Sequence, residues 1–411
     1  MRKVARNIGL RSRRSWMLQA AAIGVSAISA SALPAQELSN PSPDSPKKDL
    51  PLGDFRPRTK LRTPNRTPPR AKYPVIDIHT HFRVRTRQST ELLRDYVSVM
   101  NRQNIAACVS LDGGIGDAID EHRHHLESEH SDRFLVFANL DFRGKGKENE
   151  PSTWDCNRPD FAHRCVEALQ DAKRRGAKGL KFFKSFGLEY KNADGTFLRI
   201  DDERLDPIWK ACGELGLVVI MHTADPSAFF DPIDEKNERY EELSRRPEWS
   251  FHGDHFPTRD ALHAARNRVI GSHPNTQFIA AHLGNDGEDL AQASDWLRQF
   301  PNLHLEIASR ISELGRQPYS SREFMIKHAD RVLFGTDGPW PEQRLSCYWR
   351  FLETFDEYFA YSEKPIPPQG LWQIYGIGLP DDVLRKIYQQ NAVKLLGINA
   401  NWIKDLGDAK K

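Results

Sequence analysis

The chain lacks three things that would each have pointed somewhere definite. It has no CxxC pair, no apolar run beyond residue 40 long enough to span a bilayer, and almost no net charge. The five cysteines, Cys108, Cys156, Cys165, Cys212 and Cys347, are scattered, which argues against a cysteine zinc site or a dithiol motif. Cys108 and Cys212 stand in apolar surroundings and read as core thiols, while the spacing of Cys156 and Cys165 leaves a bridge open in an oxidising compartment. With 59 basic and 56 acidic residues the formal charge is +3, and the basic excess sits in the first 72 residues, so nothing argues for a nucleic-acid partner. The absence of later apolar runs predicts no stable membrane insertion once the N-terminus is removed.

That N-terminus is distinctive. Arg11-Ser12-Arg13-Arg14-Ser15-Trp16 precedes an apolar stretch from about Ala20 to Leu33, which leaves through Ala32-Leu33-Pro34-Ala35. A basic start, a short apolar middle and small residues at the exit predict a secretory signal over residues 1–35, twin-arginine-like in its paired arginines, and hence a periplasmic protein. Residues 36–72 are rich in Pro, Ser, Thr, Lys and Arg, cannot build a core, and read as an extended or disordered linker. The folded part is expected over residues 73–398, with a short tail at 399–411.

Within that span, short continuously apolar runs alternate with helical patterns. The strand runs are Val75–His79, Ile105–Leu111, Phe134–Leu140, Gly179–Phe183, Leu217–His222, Gln277–His282, Leu303–Ile307 and Arg331–Gly335. Such runs suit parallel strands covered on both faces. Eight strand–helix units predict a (β/α)8 TIM barrel. An open doubly wound sheet would place a Gly-rich phosphate turn after the first strand, where this chain has His79-Thr80-His81-Phe82-Arg83. The connection from Ala224 to Pro257 is unusually long and carries Phe229, Phe230, Tyr240, Trp249, Phe251 and Phe256, so it is expected to wall or cover the barrel mouth.

The chemistry-bearing residues sit at the ends of these runs. His79 and His81 close the first, His222 the fifth, His282 the sixth, and Asp337 follows the eighth. Two residues apart, His79 and His81 are expected to face the same way, with Asp77 one step deeper as an orienting partner. Singly, each could be an interior polar group or, for Asp337, a turn former. Imidazoles and a carboxylate converging from several strand ends are what a zinc-type site needs.

These motifs, Asp77-Ile78-His79-Thr80-His81, His222, Ala281-His282-Leu283-Gly284 and Leu333-Phe334-Gly335-Thr336-Asp337, resemble the amidohydrolase superfamily. Within it, the chain is similar to the amidohydrolase-related group that includes aminocarboxymuconate-semialdehyde decarboxylase. The resemblance implies one divalent metal ion, with zinc the expected ion, held by His79, His81, His222 and Asp337. It also implies that His282 and Asp337 handle the proton of an activated water. Some members bridge two metals through a carboxylated lysine after the fourth strand, and Lys181 and Lys184 stand there on opposite parities. Lys184, nearer the strand end, and Arg310 beyond Glu306 are candidate grips for an acidic small-molecule substrate, against a surface lysine and a structural ion pair.

Three functions compete. Hydrolysis of an amide, ester or lactone would incorporate solvent oxygen, non-oxidative decarboxylation would release carbon dioxide without consuming water, and a binding protein would keep the barrel without the chemistry. The complete donor set argues against the last, and export favours the hydrolase. A homo-oligomer is compatible with the chain, but no residue pattern argues for one.

Overall fold

The computed structural model describes residues 50–51, 54–55, 57–398 and 403. The expected signal at 1–35, the start of the expected linker and nearly all of the expected tail lie outside the described residues. The chain divides into two units, Met1–Lys60 and Leu61–Lys411. In the first, the described residues are exposed and form no helix or strand beyond one turn at Asp54. All that follows concerns the second.

Eight strands form one sheet in sequence order: β1 (Val75–Thr80), β2 (Ile105–Ser110), β3 (Phe134–Ala138), β4 (Gly179–Phe182), β5 (Val218–Met221), β6 (Phe278–Ala280), β7 (Leu303–Glu306) and β8 (Val332–Leu333). Every neighbouring pair is parallel. The last strand returns to the first through a Thr80–Gly338 bridge, with the Ile78 N–H donating to Phe334 O at 3.1 Å and the Asp337 N–H to His79 O at 2.8 Å. The result is the (β/α)8 barrel that the apolar runs predict.

Burial explains why those runs were legible. Every strand residue is buried except the half-buried His304. Alternate residues belong to two different cores. Val75, Leu180, Phe182, Val219, Met221, Phe278 and Leu305 pack outward against helices. Ile76, Ile78, Val109, Phe137, Ile220, Ile279 and Leu333 fill the barrel, joined by Ala392, Leu396 and Ile398 of the C-terminal helical segment. The outer helices include Thr90–Gln103, Phe161–Arg174, Asp206–Leu215, Arg259–Ser272, Leu290–Gln299 and Pro318–Lys327. Two more, Asp117–Glu127 and Glu342–Glu353, follow β2 and β8. All five cysteines are free, and Cys156 and Cys165 are buried thiols that form no bridge.

The long connection after β5 is an ordered wall. It contains short helical turns at Ser227–Phe229, Tyr240–Leu243 and Pro247–Trp249. Its Phe229, Leu243 and Phe251 form an apolar cluster of their own with Leu188 and Leu262. It ends at Thr258, whose hydroxyl accepts from the Ala261 N–H at 3.2 Å and caps the helix Arg259–Ser272. Thr258→Ala is expected to cost about 1 kcal/mol in denaturant unfolding while Thr258→Ser stays near wild type. Equal values for the two variants would show that the cap contributes nothing.

Candidate active site

His79 and Glu306 lie within their strands, while β1, β5, β6 and β8 stop one to four residues before His81, His222, His282 and Asp337. β1 ends at Thr80, so His81 lies beyond it, at the entry to the short helix Phe82–Thr86. The β1–β2 register shifts between Asp77 and Thr80. Regular alternation from Ile76 and Ile78 would send His79 away from the barrel axis. At this irregularity its ring instead meets Glu306 of β7 and Lys181 of β4. Past β6, residues His282, Leu283, Gly284 and Asn285 all have positive φ, between 56° and 69°. Asp337 has φ 63°. Left-handed backbone in non-glycine residues costs energy and is kept where the surroundings demand it. Gly335 has a different reason to be small: a Cβ there would lie 2.6 Å from Glu306 Oε2 and 3.1 Å from His79 Cβ.

Around this point the imidazoles are locked by their inner nitrogens. His79 Nδ1 donates to Glu306 Oε1 at 2.9 Å, His81 Nδ1 to Asp112 Oδ1 at 2.6 Å, and His282 Nδ1 to Ala308 O at 2.9 Å. A ring whose Nδ1–H is given to an oxygen presents Nε2 as a bare lone pair. His79 and His81 point those lone pairs at one another, 3.3 Å apart. Asp337 Oδ1 lies 3.4 Å from His81 Nε2 and 3.8 Å from His79 Nε2. Burial holds the pKa of His79 and His282 well below the ordinary imidazole value, and lowers that of His222 too. Neutral rings are the form a metal requires.

Glu306 is saturated: Oε1 also accepts from the His282 N–H at 2.5 Å, and Oε2 from the Ala308 N–H. It anchors two histidines and pairs with no arginine. Asp77 does not touch the His79 ring. It accepts from the His79 backbone N–H at 3.1 Å and from the Thr336 N–H and hydroxyl, tying the end of β1 to the segment after β8. Its burial pushes its pKa up to about 7.

His222 stands one ring away, its centroid 4.5 Å from that of His282, which is 4.7 Å from that of His79. His79, His81 and Asp337 bring ligand atoms within 4.8 Å of one another, as do His79, His282 and Glu306. His222 is in neither group. Its Nε2 is buried without a hydrogen-bond partner, 3.5 Å from Asp225 Oδ1. With Thr223 it faces a cavity of about 330 Å³ walled by Phe186, Phe197, Phe256 and Leu262.

The two expected substrate grips are already occupied. The Lys184 ammonium pairs with Asp225. Arg310 is buried rather than at the mouth, and gives its guanidinium to Glu313 at 3.2 Å. Of the two lysines it is Lys181 that turns inward, 3% exposed, with Nζ 3.5 Å from His79 Nε2 and its pKa lowered by burial to about 8.

A family model for amidohydrolases matches residues 152–398, more than half of the chain. The chain belongs to the amidohydrolase family. The matched span carries this amidohydrolase's His222, His282, Glu306 and Asp337, while His79, His81 and Asp112 precede it. Among curated proteins no sequence match is found. Among solved structures it is similar to 2,6-dihydroxybenzoate decarboxylase from Rhizobium, 16% identical over 80% of this chain and 99% of that one, with TM-score 0.45. It is also similar to dihydroorotase from Campylobacter jejuni, 13% identical over 80% and 84%, TM-score 0.45. A third is dihydroxybenzoic acid decarboxylase from Polaromonas sp. JS666 with bound manganese and 2-nitroresorcinol, 15% identical over 80% and 98%, TM-score 0.47.

Asp112 and the neighbouring Arg85 are the parts of this amidohydrolase's candidate site that the strand-end motifs did not include, while the sequence names Lys181 without a facing direction. Asp112 had a signal of the same kind as Asp337, a lone acid just past an apolar run.

Proposed function

We propose that this amidohydrolase is a metal-dependent hydrolase in which His79, His81 and Asp337, joined by His222, hold one divalent ion and an activated water attacks an amide, ester or lactone. One observation carries the reading: the Nε2 atoms of His79 and His81 face each other at 3.3 Å beside a carboxylate oxygen. Facing lone pairs repel unless a proton or a metal cation lies between them, and the carboxylate beside them favours the cation. Ligand atoms around a tetrahedral ion with bonds near 2.1 Å sit roughly 3.4 Å apart, which the 3.3, 3.4 and 3.8 Å separations approach. The buried Nε2 of His222, whose nearest acid is Asp225 Oδ1 at 3.5 Å, is the fourth donor in this reading.

A divalent ion there supplies Lewis acidity; zinc, the expected ion, lowers the pKa of water from about 15.7 to 7. The chain does the rest. His282, kept neutral by burial with its Nδ1–H given to Ala308 O, can only accept through Nε2, and so orients the water. Asp337, steadied at Oδ2 by the Ser309 hydroxyl at 3.3 Å, takes the proton and returns it to the leaving group.

A second reading, decarboxylation, is favoured by one feature. Lys181, buried with its Nζ 3.5 Å from His79 Nε2, faces the same point, where it could protonate carbon. Assays of lactones, amides, esters and aromatic acids in 18O-labelled water separate the two. Hydrolysis puts one labelled oxygen into product. Carbon dioxide release without label would replace the hydrolase by a carboxy-lyase. The paired arginines and apolar stretch of residues 11–35 support export to the periplasm, which predicts a mature chain beginning near Gln36 on N-terminal sequencing.

A further inference from the structure

Binding an acidic substrate takes a cation with donors to spare, and the cations around this centre are nearly all committed. Lys184 is matched by Asp225 and Arg259 by Asp286, while Arg310 shares Glu313 with Arg239 and keeps its Nε buried without a partner among the described residues. Arg83 gives its guanidinium to the carbonyls of Asp112, Gly113 and Ala118. Lys181 lies deep against His79.

Arg85 differs. It sits one helical turn beyond His81 with its side chain 33% exposed. Among the described residues its guanidinium makes one hydrogen bond, from Nη2 to the backbone oxygen of Asp337 at 2.8 Å. The Asp337 carboxylate is 4.0 Å away and already shared with His79 and His81. A guanidinium has five N–H donors, so most of this one is unspent. Its plane is held against Trp340, 4.0 Å from the ring centroid. A second guanidinium, that of Arg344, packs on the same ring at 3.5 Å. Among the described residues no carboxylate lies within 4 Å of Arg344. Two like charges gathered on one ring, with only a shared carboxylate nearby, are a poor arrangement for the empty protein and a good one for an anion. Trp340 and Arg344 also line a cavity of about 570 Å³ that reaches Ser309, whose hydroxyl bonds Asp337. That volume suits a small molecule.

We propose that Arg85 and Arg344, mounted on Trp340, form the anion clamp of the active site and hold a carboxylate of the substrate beside the His79–His81–Asp337 centre. This replaces Lys184 and Arg310 in that role. It depends on the functional reading only in taking that centre as the place where substrate reacts.

The test is calorimetric titration with benzoate and its neutral isostere benzamide, on metal-loaded and metal-stripped protein, for wild type, Arg85→Met, Arg85→Lys and Arg344→Met. Benzoate is expected to bind wild type at least about tenfold more tightly than benzamide. Arg85→Met and Arg344→Met should each lose roughly tenfold of the benzoate affinity, leaving benzamide affinity and metal content unchanged. Arg85→Lys, a point charge without the fork, should recover part of it. Equal binding of the two probes by wild type overturns the clamp, as does benzoate binding too weak to measure at millimolar concentration. So does an Arg85→Met protein that loses benzoate and benzamide alike, or loses its metal, because Arg85 would then act only by supporting Asp337. A wild-type protein that takes up no divalent ion yet still prefers benzoate, through Arg85, would sink the hydrolase reading and leave the clamp standing.

Discussion

Alanine at both His79 and His81 is expected to abolish stoichiometric binding of a divalent ion and to lower kcat/KM by a thousandfold or more, the scale of losing a Lewis acid from the reaction. The ligand distances explain why both must go. Asp337 Oδ1 is near each ring, so one surviving histidine with the carboxylate and His222 could still hold an ion weakly. The fold should survive. Glu306 loses the Nδ1–H of His79 but keeps the His282 and Ala308 amides, and burial already raises its pKa, so it can take a proton rather than stay charged and underpaired. A milder variant separates holding from orienting. Glu306→Gln leaves every proposed ligand in place but exchanges the charged acceptor that fixes the His79 tautomer for a neutral amide, whose NH2 must face one of the N–H groups of His79, His282 or Ala308, and should cost roughly 10–100-fold in metal affinity. Elemental analysis of purified protein decides both. A double alanine variant that keeps one ion per chain would show that the ion, if present, binds elsewhere.

Much of the barrel was legible because a parallel strand buried on both faces is an unbroken apolar run, and all eight runs became strands. Their ends were less so. The expected runs continued through His79, His222 and His282, whereas the sheet gives out before His222 and His282. In that last case the backbone turns left-handed. Composition does not encode such a turn, because no glycine marks it until Gly284. The pairing of cations with carboxylates was equally hidden. Lys184 and Asp225 lie 41 positions apart, and Arg310 is neutralised by a glutamate one turn along its own short helix. Lys181 could be assigned inward only once Leu180 and Phe182 were seen to pack outward. The helix Asp117–Glu127 buries only Ile119, His122 and Leu126, so its apolar stripe is interrupted by a histidine and gives a weak signal. The same principle that located Asp337, a polar residue just past an apolar run, applies unchanged to Asp112.

Arg239→Met is expected to destabilise the protein by about 3–5 kcal/mol and to weaken catalysis as well. Arg239 belongs to the wall after β5 and is buried, its side chain 1% exposed. It reaches Glu242 at 2.8 Å within the wall and Glu313 in the barrel, whose own side chain is also 1% exposed. Glu313 further accepts from Arg310 at 3.2 Å and Ser312 at 2.7 Å. Removing the arginine leaves two buried carboxylates sharing too few partners, which is the costly way to break a buried pair. The wall would loosen with it, and the wall carries Asp225, which holds Lys184 and faces His222. Hydrogen exchange should therefore rise across residues 224–257 before the barrel strands are affected. Denaturant unfolding gives the magnitude. A triple replacement, Arg239→Met with Glu242→Leu and Glu313→Leu, tests the cause, since exchanging the whole ionic group for apolar side chains is often neutral or stabilising where breaking it is not. If the single variant unfolds within 0.5 kcal/mol of wild type, by the usual scale of surface changes, the pair is not what fastens the wall, and the apolar cluster of Phe229, Leu243 and Phe251 must hold it alone.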